Sequence, residues 1–265
     1  TSYGGGVTVT ADDVTLARDL VVEAAALAAS IRATGDLATR AKTNVSDLVT
    51  EADLAAEALV VARLDRERPD DGLLGEEGTS REGTSGRRWV IDPVDGTYNF
   101  ATGSDYWCSA IALAEGDDVL LGAVAHHASG TVLVGGPGVP TTRNGEPLPP
   151  IADEPLAGLG AATYAHPGFI GSGAGFDAWV RAAALPATIR MLGSGSMDLV
   201  GVATGRLGCW FQHSTPDWDW LPGTALVAGL GGAAERIDAH GLVWSVAGPP
   251  TAVRELGDAL RGGKA

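Results

Sequence analysis

Two aspartates three residues apart, behind a short apolar run, are the residues of this sequence best suited to chemistry. Asp92 and Asp95 follow the apolar residues 89–91, and Pro93 between them fixes one backbone angle. The apolar run predicts a strand, and ligands collect at the carboxyl ends of strands in α/β sheets. Two carboxylates and the Val94 carbonyl are the hard oxygen ligands that Mg²⁺ prefers. The segment therefore predicts a magnesium site at the end of a strand.

The next two residues, Gly96 and Thr97, can add a phosphate-binding element to this site. Glycine lets the backbone approach a ligand closely, and the backbone N–H groups at the start of a helix attract anions. An ordinary Asp-Pro turn followed by an aspartate that caps a helix produces the same residues. The motif alone leaves both interpretations open.

Two further acidic residues stand in similar contexts elsewhere in the chain. Glu76 lies in the sequence Gly-Glu-Glu-Gly, 16 residues before Asp92, and Asp219 lies in Trp-Asp-Trp-Leu-Pro-Gly ahead of a helical pattern. Taken singly, a loop glutamate is usually solvated, and an aspartate at a helix start is usually a cap. Their recurrence beside glycine and tryptophan points to one acidic cluster.

The hydrophobic pattern predicts the elements that must position these residues. Residues 12–34 have helical spacing, and a capping box at 50–53 begins a second helix, with Leu54, Ala58, Val61 and Leu64 predicted to face inward, that ends before Pro69. The polar stretch from 79 to 88 is predicted to be a mobile loop. Strands are predicted at 89–91, 108–114, 119–125 and 131–134 as an antiparallel sheet, and then near 158–163, 187–192, 208–212 and 242–246, alternating with helices at 175–184, 196–205, 220–230 and 250–261.

The Pro/Gly-rich stretch 135–155 is the predicted boundary between two halves of the chain. Residues 1–145 form an N-terminal α+β half that carries most of the metal ligands. Residues 146–265 form a C-terminal α/β half that carries Asp219 and the substrate contacts. The predicted fold class is therefore α/β, with an antiparallel sheet in the first half and a mixed sheet in the second.

Composition excludes several classes of function. A net charge of −15 argues against a nucleic-acid partner, while a small phosphate can still bind where divalent cations invert the local field. No apolar run approaches the roughly 20 residues of a membrane span, and the first residues lack the features of a signal peptide, so a cytoplasmic location is expected. The two cysteines are expected to be buried thiols, and the five histidines, which lack metal-ligand spacing, are expected to be structural or on the surface.

Taken together, the motifs resemble those of the inositol monophosphatase family. The matching segments are Gly-Glu-Glu at 75–77, the run from Trp89 to Phe100, Trp-Asp-x-x-x-Gly at 218–223, Lys42 with 47–53, and 193–206. The resemblance covers most of the chain. It implies a layered αβαβα sandwich, a homodimer, inhibition by lithium, and two to three Mg²⁺ ions in each active site.

The resemblance also implies a role for each matching residue. Glu76, Asp92 and the Val94 carbonyl would bind a first Mg²⁺; Asp92, Asp95 and Asp219 would bind a second; a third would join with substrate through Glu76. Thr97 and Glu76 would orient the attacking water. The catalytic residues implied are Glu76, Asp92 and Thr97, and the implied substrate contacts are Asp95, Gly96, Thr97, Ser194, Gly195, Gln212 and Asp219.

Three more residues of the matching segments have less direct predicted roles. Lys42 and Asp47 would contact the metal ligands without binding the metal themselves, although an ordinary exposed surface position explains Lys42 equally well. Asp53 is predicted to fix the start of its helix rather than to touch metal.

The resemblance is weakest where the substrate alcohol would bind. Gln212 stands where inositol-specific members carry a glutamate, Tyr98 is bulkier than the usual residue, and 135–146 is a short hairpin. An amide still hydrogen-bonds a hydroxyl, so inositol 1-phosphate, as in actinobacterial members, is the leading substrate. Histidinol phosphate, fructose 1,6-bisphosphate and a 3′-phosphonucleotide are the alternatives. A non-catalytic partner of the transcription machinery would not need intact metal ligands, and a purely structural metal module would not need Gly96 and Thr97 beside them.

Overall fold

The computed structural model describes residues 9–35, 39–41 and 48–262. The helices of this part of the chain are α1 (Ala11–Ala33), α2 (Glu51–Glu67), α3 (Thr97–Ala101), α4 (Ala174–Ala183), α5 (Gly195–Ala203), α6 (Asp217–Gly229) and α7 (Pro250–Arg261). Its strands are β1 (Thr39–Ala41), β2 (Leu48–Thr50), β3 (Gly72–Gly75), β4 (Ser80–Arg81), β5 (Arg87–Asp95), β6 (Cys108–Glu115), β7 (Asp118–His126), β8 (Thr131–Gly136), β9 (Val139–Arg143), β10 (Glu146–Pro147), β11 (Gly160–Thr163), β12 (Thr188–Arg190), β13 (Cys209–His213), β14 (Ala233–Ala239) and β15 (Leu242–Gly248).

Helix α2 begins at the predicted capping box but buries a different face from the predicted one. The Thr50 hydroxyl accepts from the Asp53 N–H, and the Asp53 carboxylate accepts from the Thr50 N–H. Of the four residues predicted to face inward, only Leu64 is buried, and Leu54 is 52% exposed. The prediction of the inward face was wrong because Asp53 and Glu57, both buried, bind groups of α3 and of the turn after β3, and so turn Leu54 outward.

The strands form two large sheets and one small ribbon. The first sheet has eight strands in the order β10-β9-β8-β7-β6-β5-β3-β4, and its pairs are antiparallel except for the parallel pair of β3 and β5. The second sheet has five strands in the order β12-β11-β13-β15-β14. It is mixed, because β12, β11 and β13 are parallel and β13, β15 and β14 are antiparallel. Strands β1 and β2 pair separately.

The helices lie in three layers around the two sheets. Helices α1 and α2 pack on the outer face of the first sheet, and α4 and α7 pack on the outer face of the second. Helices α5 and α6 lie between the sheets, since their apolar residues join clusters with both. The result is an αβαβα sandwich, which confirms the predicted fold class.

Several segments differ from their predicted structure. The stretch predicted as a boundary carries strands β9 and β10, and β10 begins at Glu146, just beyond the predicted end of the first half. Helices α5 and α6 belong to the second half of the chain but also pack on the first sheet, so the two halves share one helical layer. Strand β14 was not predicted, because Glu235, Arg236 and Asp238 interrupt its apolar pattern.

Two further observations concern the surface of the molecule. The stretch predicted as a mobile loop contains β4, and the N–H groups of Thr84 and Ser85 donate to the Asp70 carbonyl at 2.7 and 3.0 Å, so its backbone is tied to the core. Among the helices of the described residues, none combines the length and the apolar character needed to cross a bilayer.

Candidate active site

An irregularity at the end of β5 places Asp92 and Asp95 on the same side of the sheet. Residues three apart on a regular strand point to opposite faces. Here the three residue steps from Asp92 to Asp95 lie opposite only two steps of β6, so β5 carries one extra residue. The extra residue shifts the alternation of side chains between the two faces, and Asp92 and Asp95 therefore point to the same face. The Ser109 hydroxyl donates to the Pro93 carbonyl inside this bulge at 2.6 Å. The Asp-Pro-x-Asp sequence is therefore a β-bulge that aims two carboxylates at one place.

A buried glutamate of α2 positions Glu76. The Glu57 carboxylate accepts the N–H groups of Glu77 at 2.9 Å and Thr79 at 3.1 Å, which fixes the turn after β3. A Cβ at Gly75 would lie only 2.4 Å from that carboxylate, so glycine is required there. Glu76 is half-buried at the end of β3, the parallel neighbour of β5.

Close backbone contacts position Asp219 in the first turn of α6. A Cβ at Gly122 of β7 would lie 2.1 Å from the Pro222 carbonyl, and a Cβ at Gly223 would lie 2.4 Å from the Leu199 side chain of α5. Helix α6 thus packs directly against the backbone of β7 on one side and against the Leu199 side chain of α5 on the other. This fixes the start of the helix beside the end of β5.

The three aspartates converge on one point. Ligand oxygens of Asp92, Asp95 and Asp219 all lie within 4.8 Å of one another. Asp92 is 1% exposed, and neither of its carboxylate oxygens has a hydrogen-bond partner in the part of the chain that the structure describes. Burial, followed by the charges of Glu76, Asp95 and Asp219, raises the pKa of Asp92 well above its usual range. The two Asp92 oxygens, which lack donors among the described residues, and the neighbouring carboxylates that repel them fit a divalent cation such as Mg²⁺.

Thr97 connects the acidic cluster to a second buried carboxylate, that of Asp53. The Thr97 hydroxyl lies 3.1 Å from Asp53 Oδ1 and 3.0 Å from the Val94 carbonyl, and can donate to either. Burial raises the pKa of Asp53 to about 6. Its other oxygen, Oδ2, caps α2 by accepting from Thr50. Asp53 therefore fixes a helix start, as predicted, and also contacts Thr97, which the sequence interpretation missed.

Gly96 is required by its conformation and by its neighbours. Its φ of 96° lies in the left-handed region, and a Cβ there would approach the Ser194 Cβ and the Tyr106 carbonyl to 3.1 Å. Helix α3 begins at the next residue, Thr97, so the N–H groups of both residues lie at a helix start beside the aspartates.

The start of α5 forms the opposite side of the site. Asp95 accepts a hydrogen bond from the Ser196 N–H, and the Ser194 hydroxyl caps the same helix. Burial raises the pKa of Asp95, while these donors lower it. At Gly195 a Cβ would lie 3.4 Å from the Asp219 carbonyl, an ordinary contact, so the site has room for a methyl group there.

One cavity of about 790 Å³ brings the predicted site residues together. Those that line it are Glu76, Asp92, Val94, Asp95, Gly96, Thr97, Ser194, Gly195, Gln212 and Asp219. Lys42 and Asp47 lie outside the described residues. The structure thus groups ten predicted residues around a single site.

The same cavity contains residues that the motifs did not single out. Tyr164 and Met191 line it, as does His166, one of the histidines predicted to be structural or on the surface. Asp198 also lines it: the Tyr106 hydroxyl donates to its carboxylate at 2.7 Å, and burial raises its pKa to about 8. Tyr164, His166 and Met191 lie outside the segments that match the family, and Asp198 lies inside the matching segment 193–206 but was given no role there.

Clustered carboxylates in an αβαβα sandwich, with a hydroxyl and a helix start beside them, form a site that can hold a metal ion beside an anion. Residues 7–256 match the model of the inositol monophosphatase family. An inositol-1-monophosphatase of Mycobacterium bovis is 32% identical over an alignment of 262 positions, gaps included, that covers 88% of each chain. The chain belongs to the inositol monophosphatase family and is a phosphoric monoester hydrolase, which confirms the resemblance predicted from its motifs.

Two further relatives widen this comparison. The fructose-1,6-bisphosphatase/inositol-1-monophosphatase of Thermotoga maritima is 30% identical over 191 residues, which cover 72% of each chain. The crystal structure of extragenic suppressor protein suhB from Bartonella henselae has the same fold, with a TM-score of 0.83 over 94% of this chain and 98% of that one, at 24% identity.

Proposed function

We propose that the protein hydrolyses a small phosphate monoester with Mg²⁺, and that inositol 1-phosphate is a substrate. The observation that carries this proposal is the convergence of Asp92, Asp95 and Asp219, whose oxygens lie within 4.8 Å of one another. Glu76, Asp92 and the Val94 carbonyl would hold one ion, and the three aspartates would hold a second. Bound there, Mg²⁺ would lower the pKa of the attacking water and neutralise charge on the phosphate and the leaving oxygen.

The chain's own residues position the reactants. When the Thr97 hydroxyl donates to Asp53, its lone pairs remain to accept a hydrogen bond from a water molecule, and Glu76 lines the same cavity. Thr97 and Glu76 would therefore orient the water toward phosphorus. The N–H groups of Gly96 and Thr97 at the start of α3 would hold the phosphate oxygens. Proximity and orientation of this kind supply a large share of the rate in phosphoryl transfer.

The far side of the cavity would contact the alcohol. Asp95 and Gln212 line it with polar oxygens, and the Gln212 amide can donate to and accept from a sugar hydroxyl. The names of the relatives support inositol 1-phosphate. Histidinol phosphate, fructose 1,6-bisphosphate and a 3′-phosphonucleotide remain the alternative substrates.

Release of inorganic phosphate from a panel of esters tests the proposal. We expect inositol 1-phosphate to be cleaved with Mg²⁺ present and not with EDTA. Cleavage that persists in EDTA, or no cleavage of any ester in the panel with Mg²⁺, would contradict it. Fast cleavage of histidinol phosphate with inositol 1-phosphate untouched would keep the chemistry and replace the substrate. Inhibition by lithium, a homodimer and a cytoplasmic location stay predictions.

A further inference from the structure

The outer part of the cavity carries an apolar wall that phosphate hydrolysis does not use. Tyr98, Tyr164 and Met191 line the same cavity as the aspartates, yet their side chains are 51%, 36% and 44% exposed. We call these three residues the ring wall. Large apolar side chains that remain exposed together beside a binding site commonly mark a contact surface for a ligand.

Hydrogen bonds from Asn99 fix two parts of the ring wall relative to each other. The Asn99 amide donates to the Leu192 carbonyl at 2.7 Å and to the Tyr106 carbonyl at 2.9 Å. Asn99 follows Tyr98 on α3, and Leu192 follows Met191, so this one side chain connects the two segments. The wall is therefore held in place without a ligand, which lowers the entropic cost of binding one.

Aromatic packing anchors the segment that carries Tyr164. Phe169 lies 4.2 Å from the His213 ring and 6.3 Å from the Trp244 ring, measured between centroids, and its N–H donates to the His166 carbonyl at 2.8 Å. The turn from 164 to 169 is thus attached to the second sheet through Phe169. It presents Tyr164 to the cavity from a fixed backbone.

The tyrosines of the wall differ from the other aromatic residues of this region. Phe169, Phe176 and Trp179 each pair with another ring, whereas the rings of Tyr98 and Tyr164 form no such pair among the described residues. Their faces are available for a ring supplied by a ligand, and Met191 adds a polarizable thioether that favours aromatic partners.

Charge supports a neutral or cationic partner rather than a second phosphate. Within the described residues, the lining of the cavity includes no lysine or arginine, while Asp198 adds another acid to it. A second phosphate at the wall would find no guanidinium or ammonium group among the described residues that line the cavity.

We propose that the ring wall binds an aromatic ring carried by the alcohol of the substrate, so that the enzyme prefers monophosphates of ring-bearing alcohols. This inference rests on the proposed function, since the phosphate of such an ester must lie at the aspartates. Stacking of a base on an aromatic side chain contributes about 1–3 kcal/mol. The ring should therefore raise kcat/KM about tenfold, mainly through a lower KM.

Adenosine 5′-monophosphate and ribose 5-phosphate test this preference, because they share the phosphoribose and differ in the adenine that replaces the anomeric hydroxyl. We expect kcat/KM with Mg²⁺ to be about tenfold higher for the nucleotide. Tyr98→Ala and Tyr164→Ala should reduce that ratio toward one, because they should lower kcat/KM for the nucleotide more than for ribose 5-phosphate. Tyr98→Phe, which keeps the ring, should retain the ratio, and so should Val22→Ala, which removes an exposed apolar side chain of α1.

Each outcome decides between the inference and the proposed function. Equal kcat/KM for the two esters, or a ratio that the alanine variants do not change, would overturn the ring wall while leaving the phosphatase intact. If neither ester releases phosphate, turnover of inositol 1-phosphate decides whether the proposed function holds, and thermal unfolding with added adenosine tests the wall alone. Stabilisation of the wild type but not of Tyr98→Ala would still support it, and no stabilisation would overturn it. Histidinol phosphate, as a further substrate, distinguishes a single small ring from a purine.

Discussion

The first sheet buries two groups of aspartates, one near each end of β5, and they differ in what faces them. Near the start of the strand, Asp13 and Asp71 both contact Arg87, at 3.0 and 2.8 Å, and Arg68 contacts Asp13 at 2.9 Å. These hydrogen bonds hold the pKa of Asp13 and of Asp71 below the usual range despite burial, which acts in the opposite direction. This group is an internally neutralised ion network.

At the other end of β5, no arginine or lysine among the described residues lines the site of Asp92, Asp95 and Asp219. Burial raises the pKa of Asp92 and of Asp95 instead. Burial alone therefore does not distinguish a structural from a functional carboxylate. The distinction lies in the partner, because an unpaired buried charge is unfavourable unless a ligand neutralises it.

The sharpest test of this contrast is Asp92→Asn. We expect at least a 1000-fold loss of kcat, because a metal ion stabilises transition-state charge by several kcal/mol. The folded state should survive, since the substitution removes a repelled carboxylate. Mg²⁺ should raise the unfolding temperature of the wild type but not of the variant.

Asp117→Asn, at an exposed turn, is the matched control and should leave both properties unchanged. Activity of Asp92→Asn within tenfold of the wild type would contradict the assignment of the cluster.

The opposite result is expected for the ion network. Asp71→Asn removes one acceptor of Arg87 and of the Trp89 indole, which donates to Asp71 at 2.9 Å. Arg87 keeps Asp13 as a partner, but the buried network loses one of its two negative charges and the hydrogen bonds to it, so we expect a loss of about 3 kcal/mol in the free energy of unfolding. The kcat of the folded enzyme should stay within about threefold. Urea unfolding and phosphate release below the transition measure the two effects, and an unchanged stability would refute the structural role.

The sequence predicts the acidic cluster better than it predicts what supports it. Asp92, Asp95 and Asp219 each stand in a local motif, and the structure brings them together. Asp53 was assigned to a single role because a capping box explains it fully, whereas its two oxygens serve two partners. Glu57 carries no local signal, since its partners lie 20 and 22 residues further along the chain. The role of a residue that acts through contacts distant in sequence can be assigned only once the fold is known.

Thr97 tests whether the hydroxyl beside the cluster acts in catalysis or only in packing. Thr97→Val keeps the shape of the side chain and removes the hydroxyl, which can donate to the Asp53 carboxylate or to the Val94 carbonyl. We therefore expect about a 100-fold loss of kcat with a small effect on KM. Thr97→Ser keeps the hydroxyl and should retain most of the activity. Equal activity of the valine and serine variants would show that the hydroxyl does not orient the water.

The smallest effect concerns the pH dependence of stability, where the two groups should act in opposite directions. The pKa of Asp198 is raised to about 8 by burial, so the folded state keeps a proton that the unfolded chain releases near pH 4. This contribution favours folding at low pH and is lost as the pH rises toward 8. The lowered pKa of Asp13 has the reverse consequence, because its contribution is present above pH 4 and is lost on acidification.

Urea unfolding of the metal-free protein at pH 5 and pH 6.5 measures this difference for Asp198. The wild type should lose about 2 kcal/mol more than Asp198→Asn over that interval, since one proton is worth about 1.4 kcal/mol per pH unit and the interval is about 1.5 units. Asp117→Asn should follow the wild type. An identical loss in Asp198→Asn would mean that Asp198 is already ionised in the folded protein at pH 5. In that case burial next to the cluster would be insufficient to raise a pKa, and the contrast between the two groups would rest on the three converging aspartates alone.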